Sequence, residues 1–202
     1  MVYANSDGSI GSMCGNGGRC IVRFAHDLGI IKKHTPFFFD AVDGLHEALM
    51  KEKGVVELKM IDMQLPVQRH DTHFTHCGTT PHYITFVEGL ESYPLKQIAR
   101  TFRDSVDDTG GINFNIVEKL NATTWRARTY ERGVEDETYA CGTGACSIAT
   151  ILYNLGKIDK PTVAINMPGG LLKISFTPTE TGFHNVWLTG PTEYVFEGSF
   201  EM

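Results

Sequence analysis

Apolar residues recur along the chain with two different periods. Ile21, Phe24, Ala25 and Leu28, and again Ile148, Ile151, Leu152 and Leu155, follow the i, i+3, i+4, i+7 spacing of a helix with one buried stripe. The pattern predicts helices over 16–28, 95–104 and 142–155. Alternating or β-branched runs predict strands over 55–63, 82–87, 114–117, 124–130, 162–167, 172–176 and 186–188. Glycine-bearing turns separate the last three, at Pro168-Gly169-Gly170 and Glu180-Thr181-Gly182. Many strands, few helices and no βαβ alternation point to an α+β architecture. The polar, His-rich stretch 68–77 reads as a linker.

The two helical stripes belong to a repeat. CGNGGRCIVRFAHDLG (14–29) aligns with CGTGACSIATILYNLG (141–156) at an offset of 127, with six of sixteen positions identical, Cys14 with Cys141 and Gly15 with Gly142 among them. Gly29 and Gly156 fall where a helix C-cap belongs. Each copy therefore reads as a cysteine, a glycine-bearing turn and a helix of about three turns. Cys20 and Cys146 do not correspond in the repeat, and both are expected as buried helix residues.

A helix N-terminus presents unpaired N–H groups and a partial positive charge, which favour a thiolate and bind a carboxylate. Two such ends facing one another would place a thiol and a thiolate on opposite sides of one tetrahedral carbon. One sulfur would remove a proton while the other delivers one, a two-base epimerisation that requires no cofactor. A Cys₄ zinc site from Cys14, Cys20, Cys141 and Cys146 is the competing reading, but its C-x5-C and C-x4-C spacings and the lack of repeat correspondence weigh against it. No metal site is expected.

Charge and composition narrow the partner. A net charge of −6 without a basic cluster argues against nucleic acid, and no apolar run is long enough to cross a bilayer. The first ten residues lack the basic and apolar regions of a secretory signal, and five cysteines, an odd number, fit a reducing compartment. A cytoplasmic enzyme acting on a small molecule is the expectation, with homodimerisation left open.

MCGNGGRC (13–20), YERGVEDETYACGTGA (130–145) and VWLTGP (186–191) resemble the signatures of the diaminopimelate epimerase family, and the likeness extends over essentially the whole chain. The resemblance implies a fold of two pseudo-symmetric domains, each a mixed sheet wrapped around a central helix. It places 1–66 with 190–202 in the first domain and 67–189 in the second. It implies that Cys14 and Cys141 are the catalytic acid/bases, assisted by His82 and Glu131. The amides of Gly15, Asn16, Gly142 and Thr143 would cradle the carboxylate at the reacting carbon. Asn5, Asn113 and Arg132 resemble the residues that hold the distal carboxylate, and Glu131 would orient an amine. Thr80 stands where the family carries Asn, keeping a short hydroxyl but losing the amide. The family also begins several dozen residues earlier, so the first domain is expected to be incomplete, with an uncovered edge and core face. Proline racemase-like enzymes of the same fold, a thiol redox or metal-binding protein, and an inactive remnant are the alternatives.

Overall fold

The computed structural model describes residues 1–4, 8, 10, 11, 13–106 and 111–199. In chain order these form helix α1 (Gly15–Asp27) and strands β1 (Phe37–Ala41), β2 (Gly44–Met50), β3 (Val55–Lys59), β4 (Met63–Gln64), β5 (Val67–Arg69), β6 (Thr72–Cys77) and β7 (Thr80–Phe86). Helix α2 (Leu95–Ser105), strands β8 (Asn113–Lys119), β9 (Thr124–Glu131) and β10 (Asp136–Thr138), and helix α3 (Gly142–Asn154) follow. Strands β11 (Thr162–Met167), β12 (Gly170–Pro178) and β13 (Gly182–Pro191) complete the order. Hydrogen bonding runs without a break through β1-β2-β3-β13-β12-β11-β9-β8-β7-β6-β5, with β4 joined to β13 and β10 to β9. The class is α+β, as the strand-rich pattern predicts.

The last strand connects the two ends of the chain. Trp187–Pro191 of β13 pair with Val55–Lys59 of β3 on one side, while β12 pairs on the other. The sheet thereby curls past both repeat helices. Around α3 it is closed: β6, β7, β8, β11, β12 and β13 all pack on this helix, and every residue from Gly142 to Leu152 is buried. Among the described residues it covers α1 less completely. That helix packs on β2, β3 and β13 and buries Gly15, Gly18, Arg19, Val22 and Ala25.

The repeat holds in backbone detail and fails in burial. Both helices end in the same Schellman arrangement, in which Gly29 N–H donates to His26 O and Ile30 N–H to Ala25 O, matched by Gly156 to Tyr153 and Lys157 to Leu152. Both glycines sit at positive φ, 73° and 63°. The apolar stripe, however, is buried more deeply in the second copy, where only Leu155 at its end is exposed, while Ala25 alone of the first copy's stripe is buried. Ile148, Ile151 and Leu152 are sealed, whereas Phe24 is 64% and Leu28 58% exposed and Cys20 is exposed, contrary to expectation. Phe24 and Leu28 lie on the side of α1 that the described strands do not cover.

A second apolar layer covers the outside of the sheet. Tyr83, Phe114, Ile116 and Tyr130 alternate along β7, β8 and β9 toward α2, where Leu95 and Ala99 meet them. The alternate residues, His82, Ile84, Asn115, Val117, Ala127 and Thr129, face α3.

The predicted helices match within a residue or two, and each predicted strand lies on an observed one, although 55–63 is broken into β3 and β4. The linker assigned to 68–77 is instead part of β5 and β6, integral to the sheet. Its threonines mislead: Thr72 and Thr75 are buried beside Phe74 and Cys77, so the segment has a core side that composition hides. The β1–β2 hairpin is also absent from the prediction. Its inward position His46 looks polar but is buried because Asp43 Oδ1 lies 3.0 Å away and the Lys59 carbonyl 2.8 Å.

The asymmetric burial predicts an asymmetric response to equivalent truncations. Ile151→Ala should cost about 2–5 kcal/mol, as a deeply buried cavity does, and Phe24→Ala at the aligned position less than about 0.5–1 kcal/mol. Urea unfolding of the two variants checks this.

Candidate active site

Both repeat cysteines occupy the N-cap of their helix in the same extended conformation, Cys14 at φ −105°, ψ 108° and Cys141 at φ −118°, ψ 108°. In α1 the Gly17 amide donates to Cys14 Sγ at 3.4 Å, and in α3 Gly144 lies beside Cys141 Sγ. The two helix ends touch each other through backbone. A Cβ built on Gly15 would lie 3.2 Å from Gly142 Cα, and one on Gly142 3.1 Å from Gly15 Cα. Both would also strike Leu188 of β13, at 2.9 and 2.8 Å. Glycine is required at both positions because no side chain fits between the helices. Asn16 ties the halves together, its Nδ2 donating to Ala140 O at 2.8 Å while its Oδ1 accepts from Arg19 at 2.9 Å.

The two thiols have different surroundings. Cys14 is half-buried, whereas Cys141 is 5% exposed. Burial, and then the neighbouring Glu131 carboxylate, push the Cys141 thiol well above the ordinary cysteine range. Burial likewise raises Glu131, against hydrogen bonds from Thr138 and Cys141. Cys141 is therefore a protonated thiol at neutral pH, with a carboxylate against it. Burial, and then the charges of Cys14, Glu131 and Cys141, raise the phenol of Tyr3.

His82 stands at the head of β7, buried beneath α3. Its Nε2 is 3.0 Å from Thr143 Oγ1, and that hydroxyl is 3.5 Å from Cys141 Sγ. Asn115 Nδ2 lies 3.3 Å from the other ring nitrogen. Burial, then the positive charge of Arg132 and of His76, lower His82 to about 3, so the ring is neutral.

Asn113, also buried, donates to Pro81 O at 3.0 Å and accepts from the Arg132 amide at 3.3 Å, which fixes the start of the YERG turn against β8. Thr80 is buried at the first position of the same strand as His82. Gly15, Asn16, Gly142, Thr143, Glu131, Cys14, Cys141 and His82 thus converge on the junction of the two helix ends. Asn5 lies outside the described residues. Sequence reasoning did not single out Tyr3, Leu188, Asn115 or Thr129. Leu188, Asn115 and Thr129 fall within predicted strands and look like ordinary strand residues, because their importance lies in cross-strand and interhelical neighbours.

The family model described as diaminopimelate epimerase matches residues 74–195. A diaminopimelate epimerase of Flavobacterium psychrophilum is 43% identical over 98% of this chain and 76% of its own length. That of Aquifex aeolicus is 35% identical over 97% and 72%. Among solved structures, a hydroxyproline epimerase from Agrobacterium vitis superposes with a TM-score of 0.67 at 13% identity, covering 91% of this chain and 65% of that one. A phenazine biosynthesis protein from Clostridium difficile superposes with a TM-score of 0.69 at 14% identity, covering 96% and 75%. The fold is therefore one shared with a hydroxyproline epimerase and a phenazine biosynthesis protein, and the relatives by sequence make the enzyme an amino-acid epimerase. Within that class, the chain belongs to the diaminopimelate epimerase family.

The neutral, buried His82 has a consequence for stability. Its folded-state value near 3 lies below the ordinary 6.5, so between these limits the unfolded chain binds the extra proton. Stability is complete above about pH 6.5 and falls as pH drops toward 3, by up to roughly 5 kcal/mol at about 1.4 kcal/mol per pH unit. Urea midpoints should decline over this range in the parent protein and distinctly less in His82→Gln.

Proposed function

We propose that this chain interconverts LL- and meso-2,6-diaminopimelate by a two-base thiol mechanism. The observation that carries the reading is the backbone contact of two helix N-termini, each capped by a cysteine, at Gly15 and Gly142. The carboxylate on the reacting carbon sits on the paired amide ends, where both partial positive charges act on it. Arg132 clamps the distal carboxylate through its planar fork together with Asn113, and Asn5 is assigned to the same carboxylate by the family resemblance alone. Thr80 presents a hydroxyl to the same substrate.

In the forward cycle the Cys14 thiolate takes the α-hydrogen as a proton, leaving the electron pair on the α-carbon and its carboxylate. The Cys141 thiol gives its proton to the opposite face of that carbon, and the sulfurs end with exchanged protonation states. The raised, protonated Cys141 suits it for the donor role in this direction. Glu131 receives hydrogen bonds from Thr138 and Cys141 and orients the amine. No redox or carbonyl cofactor enters the proton balance. Residues 1–66 with 190–202 would form one wall of the cleft and 67–189 the other. The product would serve lysine and peptidoglycan precursor synthesis in the cytoplasm.

Incubation of the reduced protein with LL-diaminopimelate in D₂O should place deuterium at one α-carbon and yield meso product. Cys14→Ser and Cys141→Ser should each lower the rate by about 10²–10⁴-fold, the usual contribution of a positioned acid or base. Exchange that survives both replacements would overturn the two-thiol mechanism, and exchange of proline but not diaminopimelate would overturn the substrate. Arg132→Lys should raise KM at least about ten-fold while changing kcat less, since the lost bidentate contact lies away from the reacting carbon.

A further inference from the structure

Several buried polar side chains occupy the sheet face beneath α3 where apolar residues would otherwise pack. His82, Asn115 and Thr129 are each completely buried. The pleat aligns them: Asn115 is directly opposite Thr129 in the β8/β9 ladder, and His82 lies one step diagonally away, opposite Asn113 in the parallel β7/β8 pair. Burying such groups is costly unless every donor and acceptor is matched. Here they are matched in a chain whose direction is determined.

The amide of Asn115 sets that direction. Its Nδ2 is 3.0 Å from the Tyr83 carbonyl and 3.4 Å from the Asn113 carbonyl, groups that can only accept, so this end is the NH₂. Its Oδ1 accepts from the Thr129 hydroxyl at 2.8 Å. The same NH₂ faces His82 Nδ1 at 3.3 Å, so Nδ1 is the acceptor and the proton of the neutral ring is on Nε2. Nε2–H then donates to Thr143 Oγ1, which leaves the Thr143 hydroxyl proton directed at Cys141 Sγ. Gly144 rides directly over this amide, since a Cβ there would lie 2.7 Å from Asn115 Oδ1.

We infer that Asn115, seated by Thr129, is a positioning residue: it locks His82 in the Nε2–H tautomer, so that Thr143 donates a hydrogen bond to Cys141 whenever that sulfur is a thiolate. This rests on the reading of Cys141 as an acid/base. The relay opposes the groups that disfavour the thiolate, namely the apolar burial and the Glu131 carboxylate. Around His82 the facing charges are Arg132 and His76, both of which favour the neutral ring that the relay needs.

Two measurements on the full chain test the assignment. In ¹⁵N-histidine NMR at pH 7, with the His82 signals identified by their loss in His82→Gln, the parent ring should show the Nε2–H pattern, and Asn115→Asp should shift it toward Nδ1–H. In alkylation by iodoacetamide, resolved by mass spectrometry, Asn115→Asp and Asn115→Leu should slow labelling of Cys141 at pH 8 by about ten-fold or more, the size of one hydrogen bond to a charged group. Cys14 labelling should not change, and kcat should fall with little change in KM. Thr129→Ser should retain the parent profile and Thr129→Val should show a smaller slowing. The milder Thr129→Val and Asn115→Asp variants decide the matter where Asn115→Leu does not fold. An Nδ1–H or charged ring in the parent protein, or an unmoved Cys141 labelling rate in the folded variants, would overturn the proposal. Deuterium exchange that survives Cys141→Ser would instead remove the two-thiol mechanism while leaving the tautomer and labelling results standing.

Discussion

The structure depends on one contact, the meeting of Gly15 and Gly142 backbone to backbone with Leu188 packed against both. Two helices that approach end to end bring together two partial positive charges, each about half an elementary charge, and two sets of unpaired amides. Such an arrangement is unfavourable when empty and favourable with an anion between the ends. The same constraint excludes side chains at both glycines and places the N-cap cysteines on either side of the junction. Asn16, bonded to Ala140 across the halves and to Arg19 within its own, keeps the ends from separating.

Around that junction the two halves are related but not equivalent. The sheet closes completely around α3 and only partly around α1, so Cys141 is buried with Glu131 while Cys14 remains half-buried. The difference gives two sulfurs at matching N-caps different surroundings, one sealed beside a carboxylate and one half-buried. A core that is closed around α3 can also enclose a polar ladder. His82, Asn115 and Thr129 displace apolar packing from the face nearest Cys141, and they are tolerated because each hydrogen bond is matched by the next.

Much of the frame was legible in the chain. The repeat around Cys14 and Cys141, the three helices and most strands follow from periodicity and glycine placement, because those signals are local. The hairpin of β1 and β2 and the strands β5 and β6 were not, since His46, Thr72 and Thr75 carry polar labels and are buried by partners distant in sequence or in the opposite strand. The equal apolar stripes of the two repeat helices likewise suggested equal burial, and only the path of the sheet shows that Phe24 and Leu28 lie outside it.

The sequence by itself determined that two cysteines head two matching helices and that a substrate with a carboxylate suits them, because a helix end and its cap are set by a few neighbouring residues. The tertiary structure alone decided that the ends touch, that one thiol is sealed beside a carboxylate, and that a tautomer is held by an asparagine 33 residues from its histidine. Those properties arise from desolvation and cross-strand register, which depend on what the rest of the chain brings close and not on any local run of residues.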